Sequence, residues 1–332
     1  MKDFCVIGSG VAGSTIANLL AKNYSVEIFD KARGPGGRAS NRRYNNNLSF
    51  DHGLQYISPR SSNFKKFIEE LKRKKILKKW LGDHLDFTFK KNEKPIKYIG
   101  VNGNNDICKY LIKNIKSSYL SNVTSIKFAS NYWTITLNYK TKIYFKNLII
   151  TCPFPQLKKL CSKYLSKNML SFKAKMLPNI TVIVAYQYNK EIPISSIRFN
   201  DNTIAWASCE NTKDRFKSNK SLWTIQCTEE FSKKHINLYK INKKKYISNI
   251  LKKFEILTGI QKNMIIKADI HGWKYAYSKG SNKVLSSSLI GKFNLGICAD
   301  WFLGSKAEDA WDSAQNLFKR IKKNPLNIIK RV

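Results

Sequence analysis

The chain has 332 residues, of which 42% are hydrophobic, so it can bury the core of one large or two ordinary domains. Its formal net charge is +38, from 60 Lys and Arg residues against 22 Asp and Glu residues. Such a charge attracts phosphates and acidic ligands over long range. The basic residues are spread along the whole chain rather than gathered in one tail, which is typical of solvated faces. We therefore predict no nucleic-acid partner.

The number of cysteines and the hydropathy bear on metal sites, on membrane spans and on location. The seven cysteines contain no Cys-x-x-Cys pair and only four histidines are present, so we predict reduced, mostly buried thiols and no metal site. The N-terminus lacks the pattern of a signal peptide, and the apolar run at 180–186 is too short to span a bilayer. We expect a cytoplasmic protein with no membrane partner.

The first thirty residues alternate between strand and helix signals. FCVI at 4–7 is an apolar run of strand length, and apolar residues at helical spacing follow the glycine-rich stretch GSGVAG at 8–13. VEIF at 26–29 then forms a second strand. The pattern predicts that the chain opens with a βαβ unit.

The rest of the chain mixes helix and strand patterns. A basic amphipathic helix is predicted at 62–80, and its lysines are interpreted as a solvated face rather than a membrane or nucleic-acid surface. The other predictions are a helix at 106–116, a strand meander at 122–152, a helix opened by two prolines at 152–161, a strand-rich region at 176–275 with a helix at 242–258, a strand at 292–300 and a final helix at 306–323.

The spacing Gly8-x-Gly10-x-x-Gly13 predicts a dinucleotide site. The first glycine permits the turn, the second allows close approach of a pyrophosphate, and the third allows helix and strand to pack. The helix N-terminus binds phosphate, and Asp30 at the end of the second strand accepts ribose hydroxyls. An acid there disfavours a 2′-phosphate, so NADP is not expected in this loop. The predicted cofactor contacts in this unit are Gly8, Gly10, Val11, Ala12, Gly13, Asp30 and Lys31. The alternative is a structural glycine turn.

The stretch KARGPGGRAS at 31–40 supplies a glycine hairpin and Arg38, which suit the diphosphate of a longer, permanently held cofactor. It resembles a loop of the glutathione-reductase-like flavoproteins, which include amine oxidases and phytoene desaturases. In that family a Gly-Gly-Arg lies against the FAD diphosphate. The resemblance implies the same role for Gly36, Gly37 and Arg38, with Arg33 as a further candidate. The alternative is a flexible basic loop.

Six further segments, in the same order, resemble the renalase-like branch of these flavoproteins. They are DHGLQYISPRSSNF (51–64), LIITCPFPQLKKLC (148–161), IAWASCENTKDRF (204–216), LWTIQCTEEFSKKHI (222–236), HGWKYAY (271–277) and ADWFLGSKAEDAW (299–311). The resemblance implies a non-covalently bound FAD, oxidation of misreduced NAD(P)H isomers, and oxygen as the electron acceptor. Further cofactor contacts implied by it are Gly53, Gln55, Tyr56, Val123, Asp300, Asp309 and Ala310.

The chain departs from the family pattern near its end. The family commonly has Gly-Asp where this chain has Ala299-Asp300, and glycines where Asp309 and Ala314 stand. We expect Asp309 to crowd the flavin and to add negative charge beside it. The segment GVNGNND at 100–106 also lacks the Pro-Gly-Met that is usual in the family.

Oxidation of a dihydropyridine by hydride transfer to flavin N5 requires positioning rather than a strong acid or base, so no catalytic residue is assigned. Aromatic and imidazole side chains are predicted to line the substrate pocket: Tyr56, Trp206, Trp223, His271 and Trp273. Core packing is the alternative role for the tryptophans. The expected partner is a small-molecule substrate, a reduced nicotinamide dinucleotide.

These inferences define a fold class: α/β, with a Rossmann-like FAD-binding domain and an inserted, strand-rich α+β substrate domain. The FAD-binding domain is predicted to comprise residues 1–75, 96–155 and 286–332, and the substrate domain residues 76–95 and 156–285. Two alternative functions stay open. One is a flavin amine oxidase or desaturase, and the other is a non-catalytic basic dinucleotide-fold protein that binds nucleic acid.

Overall fold

The computed structural model describes residues 1–45, 48–91, 95–187, 194–216, 218–260, 264–281 and 285–324. Within these residues the helices are α1 Val11–Leu20, α2 Ser62–Arg73, α3 Asp106–Leu111, α4 Phe154–Cys161, α5 Lys167–Leu170, α6 Glu229–His235, α7 Lys243–Thr258 and α8 Ala307–Lys323. The strands of the first half are β1 Lys2–Ile7, β2 Val26–Phe29, β3 Arg42–Asn45, β4 Leu48–Phe50, β5 Leu77–Lys79, β6 Asp83–Leu85, β7 Tyr98–Gly100, β8 Lys116–Ser118, β9 Val123–Ala129, β10 Tyr132–Leu137 and β11 Thr141–Ile150. Those of the second half are β12 Ala174–Tyr186, β13 Ile194–Arg198, β14 Ile204–Cys209, β15 Ser221–Cys227, β16 Ile265–Ser281, β17 Ser288–Ile290 and β18 Leu295–Ile297.

The first compact unit, unit 1, takes in Met1–Gly37, Ile107–Met176 and the segment from Tyr277 onward. Strands β8, β2, β1, β11 and β18 lie side by side in that order and run parallel, with β17 antiparallel at one edge. The strands β9 and β10 extend β11 as an antiparallel meander. Helices α1 and α8 contact each other. This arrangement confirms the prediction of a Rossmann-like α/β fold, in which a parallel sheet carries its ligand site at the carboxyl ends of the strands.

The second compact unit, unit 2, takes in Arg38–Asp106 and Leu177–Ala276. A six-stranded sheet has the order β16, β12, β15, β14, β13, β6, and short two-stranded pairs form between β3 and β4 and between β5 and β7. The pairs β12–β15, β15–β14 and β14–β13 are antiparallel, while β6 runs parallel to β13. The strand-rich character predicted for the inserted domain is confirmed.

The two faces of this six-stranded sheet differ in chemistry because successive side chains of a strand point to opposite faces. On β15, Trp223 and Ile225 pack with Phe254 of α7 in a buried apolar core. Their neighbours Thr224 and Gln226 point to the other face, where they make polar contacts. The sheet therefore has a core face and a second face, which we call the polar face for these contacts and which also carries the apolar Ile183, Ala185 and Leu222.

The helix predicted at 62–80 is too long. Helix α2 ends at Arg73, and Lys75 adopts a φ of +56°, in the left-handed region that stops a helix. The chain then enters β5, which pairs with β7 of the same unit. The lysines of α2 lie on its exposed side while Phe64 and Ile68 are fully buried, as the amphipathic pattern predicts.

The compact units have other boundaries than the predicted domains. Unit 2 contains all of 38–106, whereas 38–75 and 96–106 were assigned to the FAD-binding domain. The physical reason is an apolar cluster in which Leu48 and Phe50 of β4 pack on Ile183, Ala185 and Leu222 of the six-stranded sheet. Residues 325–332 of the last predicted segment lie outside the described residues. The cofactor and substrate roles of the units stay predictions.

In the part of the chain that the structure describes, we find no helix with the length and apolar character that a membrane crossing requires.

Candidate functional site

Strand β1 leads into α1 through a turn that requires glycine at two positions. Gly8 has a φ of +101°, and a methyl group on Gly13 would stand 1.9 Å from the Gly8 carbonyl oxygen. Gly10 is the N-cap residue of α1, and no side chain caps the N–H groups of the first turn. That turn begins with the buried Val11 and Ala12. An uncapped helix start of this kind is an anion-binding arrangement.

The glycine hairpin predicted to oppose this turn lies directly against it. Gly36 forms a backbone bridge with Gly10, and its N–H donates to the Ser9 carbonyl at 3.0 Å. Gly37 has a φ of +53°, and a methyl group there would come within 3.2 Å of the Gly10 Cα atom. At Gly10 itself a methyl group would meet no described atom closer than 3.9 Å. The turn and the hairpin therefore form one backbone cradle, with open space at Gly10.

Asp30 stands at the end of β2, and its carboxylate fastens the same loop. One oxygen accepts from the N–H of Ser9 at 2.8 Å and from its hydroxyl at 2.6 Å, and the other accepts from the N–H of Ala32 at 2.9 Å. A carboxylate offers about four acceptor positions, so one remains for a ribose hydroxyl. Lys31 and Arg33 are exposed beside it.

Asp309, which stands where the resemblance implies a glycine, caps its own helix. Asp309 accepts from the N–H of Lys306 at 2.8 Å, three residues before it at the start of α8. Its carboxylate occupies the space beside Gly304, where a methyl group would come within 2.5 Å of its oxygen. Ala310 follows in the same buried first turn. This hydrogen bond satisfies a backbone donor that the helix leaves open.

The other residues predicted near the cofactor in unit 1 are held by local contacts. Ala299 is extended, with a φ of −167°, so its backbone does not require a glycine, and its N–H donates to the Ser313 hydroxyl at 3.0 Å. Asp300 is 5% exposed and Ala314 is fully buried. Val123 begins β9 and packs against the core of this unit.

In unit 2, Arg38 and Gly53 are coupled through the backbone. The Arg38 carbonyl accepts from the N–H of Leu54 at 2.8 Å, and a methyl group on Gly53 would stand 2.1 Å from that carbonyl oxygen. The guanidinium of Arg38 donates to the carbonyl of Ala276 at 3.1 Å. Glycine is required at position 53 because two backbone segments approach closely there.

Four charged side chains form a buried cluster in unit 2, which we call the charge cluster: Asp51, Glu210, Lys213 and Arg215. Lys213 lies 2.9 Å from both Asp51 and Glu210, and Arg215 lies 2.5 Å from Asp51. Each of the four side chains is at most 2% exposed. Burial opposes ionisation of Asp51, but Arg215 and Lys213 outweigh it and hold its pKa well below the usual range. This cluster was not predicted. Its signal in the sequence is the group of charged residues at 210–215, between two strand segments.

Gln55, a predicted cofactor ligand, uses its amide within unit 2. Its oxygen accepts from the Ser208 hydroxyl at 3.0 Å and lies 3.4 Å from the Lys213 ammonium. Its nitrogen donates to the carbonyls of Asp51 and Gly53, the second at 3.0 Å. Both ends of the amide are therefore engaged, and the side chain ties the segment at Gly53 to the charge cluster.

Two of the predicted substrate residues come together with a third that was not predicted. His52 stacks on Trp273 with ring centroids 5.0 Å apart, and His271 lies edge-on to both rings. The indole N–H of Trp273 donates to the His52 carbonyl at 2.8 Å. We call these three rings the imidazole–indole group. His52 was not predicted, although it lies in the segment 51–64 that resembles the renalase-like branch.

The histidines of this group are neutral at pH 7. Burial, aided by His271 and Arg42, lowers the pKa of His52 to about 3. Burial and then Arg42 lower the pKa of His271 to about 4. Nδ1 of His271 lies 3.4 Å from the Arg42 guanidinium, which can only donate, so the ring proton of His271 is on Nε2.

The remaining aromatic predictions separate onto two faces of the six-stranded sheet. Tyr56 and Trp206 lie with ring centroids 6.4 Å apart, and Trp80 joins them at 6.4 Å and 6.3 Å. Trp223 has no exposed surface and packs on Phe254 at 5.3 Å in the apolar core. The structure therefore gives Trp223 the core-packing role, because its strand position points it away from the polar face.

A family model described as the NAD(P)-binding Rossmann-like domain matches residues 6–71. Renalase of Mus musculus is 29% identical over 171 residues, which cover 48% of this chain and 49% of renalase. An uncharacterised protein of Methanocaldococcus jannaschii is 28% identical over 181 residues, which cover 46% of this chain and 48% of that protein. The chain thus spans about half the length of the curated relatives it matches.

Among solved structures, an engineered triple variant of putrescine oxidase matches with a TM-score of 0.75 and 10% sequence identity. The match covers 97% of this chain and 99% of that chain. At this identity the likeness establishes the fold.

Proposed function

We propose that this chain is a renalase-like FAD-dependent oxidoreductase, which the resemblance of its motifs and the 29% identity to renalase over about half of each chain support. The proposed substrates are misreduced isomers of NAD(P)H, which lose a hydride to become the normal oxidised nicotinamide dinucleotide. The proposed acceptor is oxygen, which takes that hydride and a proton to become hydrogen peroxide. The sequence similarity to renalase supports this choice among the reactions of the superfamily.

The observation that carries the proposal is the backbone cradle formed by the glycine turn and the hairpin. FAD fits the residues that are present. The open space at Gly10 and the uncapped start of α1 suit a diphosphate, and the acceptor position left on Asp30 suits a ribose hydroxyl. Gly36 and Gly37 close the other side of the cradle. Arg38, Gly53, Tyr56, Val123 and Asp300 are proposed as further contacts by the family resemblance.

Bound FAD would supply the hydride acceptor. The part left to the protein is to bind a dihydropyridine, orient it and exclude water, which is the main protein contribution to a hydride transfer that requires no strong acid or base. In unit 2, the imidazole–indole group offers aromatic faces and, at Nε2 of His271, an N–H donor suited to a carboxamide oxygen. His271 and Trp273 are therefore proposed as substrate contacts, together with Tyr56 and Trp206.

The charge cluster has a positioning role in this proposal. Gln55 and Gln226 both donate to the Gly53 carbonyl, at 3.0 Å and 2.8 Å, and Gln55 is itself held by Ser208 and Lys213. The segment at Gly53 is thereby held by two amide donors, one of which is itself bound to the charge cluster.

The test begins with the purified protein. We expect a yellow protein that releases FAD on denaturation, and a colourless protein without releasable flavin would contradict the cofactor. Anaerobic mixing with 2-dihydro- and 6-dihydro-NAD(P) should bleach the flavin spectrum, while ordinary NAD(P)H and putrescine should leave it unchanged. Admission of oxygen should then restore the colour and produce one hydrogen peroxide per substrate. Bleaching by amines alone would exclude the proposed substrates.

A further inference from the structure

A small cleft of about 80 Å³ opens on unit 2, and none of the four residues of the charge cluster lines it. Two aromatic side chains, Tyr56 and Trp206, and two cations, Lys97 and Arg198, line it. His84 stands at its base. The combination of aromatic faces with two positive charges distinguishes this cleft from the apolar core on the other face of the sheet.

Among the residues that the structure describes, Lys97 is a buried cation that forms no ion pair. The residue is 8% exposed. Its ammonium lies 5.5 Å above the Tyr56 ring and makes one hydrogen bond, to the Pro95 carbonyl, at the long distance of 3.5 Å. Burial and then Arg198 lower its pKa. A buried charge costs free energy unless it is paired, so this position favours the binding of an anion beside the ammonium.

Arg198 adds the second charge from the neighbouring sheet. It is directly opposite Trp206 in the antiparallel register of β13 and β14, so both side chains lie on the polar face. Arg198 is exposed and, in the described part of the chain, has no carboxylate partner within ion-pair distance. A guanidinium fork beside an ammonium is the pairing that recognises phosphate oxygens.

The other polar groups of the cleft leave it with a net positive charge. The carboxylate of Asp86 also lines the cleft and carries one negative charge, and its Oδ1 accepts from the N–H and hydroxyl of Thr88 and from the N–H of Lys90. His84 is bound to the Ser196 hydroxyl at 2.8 Å, and burial lowers its pKa to about 4, so it is neutral at pH 7. The positive charge of the cleft therefore comes from Lys97 and Arg198.

We propose that this cleft binds the phosphate-bearing end of the substrate, with Tyr56 and Trp206 packing against its planar or sugar part. The ligand class is a phosphorylated dihydronicotinamide nucleotide. The inference rests on the proposed function and makes it more specific, since it predicts selection for nucleotides over phosphate-free dihydronicotinamides and over amines. Lys97 and Arg198 are specificity residues that contact substrate and take no part in hydride transfer.

The test compares two substrates that differ by one phosphate: the misreduced isomers of dihydronicotinamide mononucleotide and of the corresponding riboside. In Lys97→Met and Arg198→Ala, KM for the mononucleotide should rise about 10- to 100-fold, the loss of one hydrogen bond to a charged group, with kcat retained. KM for the riboside should not change. Lys66→Met, on the exposed side of α2, is the matched control and should change neither value.

Equal changes for both substrates, or none, would overturn the cleft assignment while leaving the proposed function intact. If the wild type oxidises neither of these two substrates, the proposed function is decided by the misreduced dinucleotides instead, and equilibrium dialysis with nicotinamide mononucleotide tests the cleft alone. Weaker binding in both cleft variants then supports it, and unchanged binding overturns it. Thermal unfolding without ligand gives a second readout. Removal of a buried unpaired cation in Lys97→Met should raise the melting temperature, whereas a structural role predicts a decrease.

Discussion

The glycine cradle of unit 1 and the charge cluster of unit 2 are built in opposite ways. The cradle consists of backbone atoms from residues 8–37, whose contacts depend on the absence of side chains. The charge cluster consists of side chains, and its central pair, Asp51 and Lys213, is separated by 162 positions. The comparison shows that a backbone site is formed by near neighbours in sequence, whereas a side-chain site depends on the completed fold.

The largest expected effect comes from breaking the charge cluster. Lys213→Met leaves Asp51 and Glu210 with Arg215 as their one cation, so the free energy of unfolding should fall by about 3–5 kcal/mol. Lys78→Met is the matched control, since Lys78 is 31% exposed and lies 3.9 Å from Asp214, and it should cost less than about 1 kcal/mol. Urea unfolding followed by circular dichroism measures both.

If Lys213→Met does not fold, a second variant tests whether the balance of buried charge is the cause. Adding Glu210→Gln removes one negative charge as well, leaves the Asp51–Arg215 pair, and should recover part of the lost stability. A double variant no more stable than the single one would show that charge balance does not hold this region together.

Acid should weaken unit 2 before unit 1. All four histidines of the chain lie in unit 2, and the pKa values of His52, His84 and His271 fall to about 3, 4 and 4. Below the unfolded pKa of about 6.5 the unfolded chain binds protons that the folded chain does not, so stability falls as the pH decreases from about 6.5 toward 4. At pH 5, about 1.5 pH units below the unfolded pKa, we expect a loss of up to about 2 kcal/mol for each of these three histidines.

Hydrogen exchange at pH 7 and pH 5, followed by mass spectrometry, resolves the two units. Peptides of unit 2 should lose protection at pH 5 while those of unit 1 keep it. His52→Phe should remove part of the difference, and equal losses in the two units would contradict the assignment to the histidines.

Substitutions in the glycine cradle should separate an effect on FAD binding from an effect on folding. Gly10→Ala meets no described atom closer than 3.9 Å, and its φ of −72° suits alanine, so the fold should be retained. The methyl group would occupy the space proposed for the diphosphate, and FAD affinity should fall about 30-fold, equivalent to about 2 kcal/mol. Flavin content on purification and titration of the apoprotein measure this loss.

Gly13→Ala is the matched contrast, because its methyl group would stand 1.9 Å from the Gly8 carbonyl oxygen. This variant should lower the melting temperature of the apoprotein, and Gly10→Ala should not. Unchanged FAD binding in Gly10→Ala would remove the cradle from the cofactor site.

The smallest effect is expected at Asp309. Asp309→Ala removes the acceptor for the Lys306 N–H and should lower the free energy of unfolding by about 1 kcal/mol. Lys319→Ala, on the exposed side of α8, is the control and should have little effect. Chemical denaturation of the two variants checks the prediction, and identical curves would show that the cap contributes nothing.

The sequence predicted the glycine turn, Asp30 at the end of β2 and the βαβ unit that opens the chain. Each of these depends on spacing within that one unit. It did not predict the end of α2, since the left-handed Lys75 and the pairing of β5 with β7 depend on tertiary contacts. The hydrophobic pattern within 62–80 therefore does not show at which residue tertiary contacts end α2.

The candidate substrate residues were predicted less well for the same reason. Trp206 and Trp223 both lie in strand-like segments, and only the register of β14 and β15 puts them on opposite faces. His52 and Lys213 were missed because their partners are remote in sequence, so no spacing rule connects them.

The alternation of β13, β14 and β15 between a core face and a polar face also bears on how this protein can change its ligand. Positions such as 198, 206 and 226 contribute nothing to the apolar core, so substitutions there can alter recognition while the scaffold persists. The residues between them are constrained by packing against α7. A new specificity can thus arise by changing residues such as Arg198 and Trp206 on these strands, without redesign of the fold.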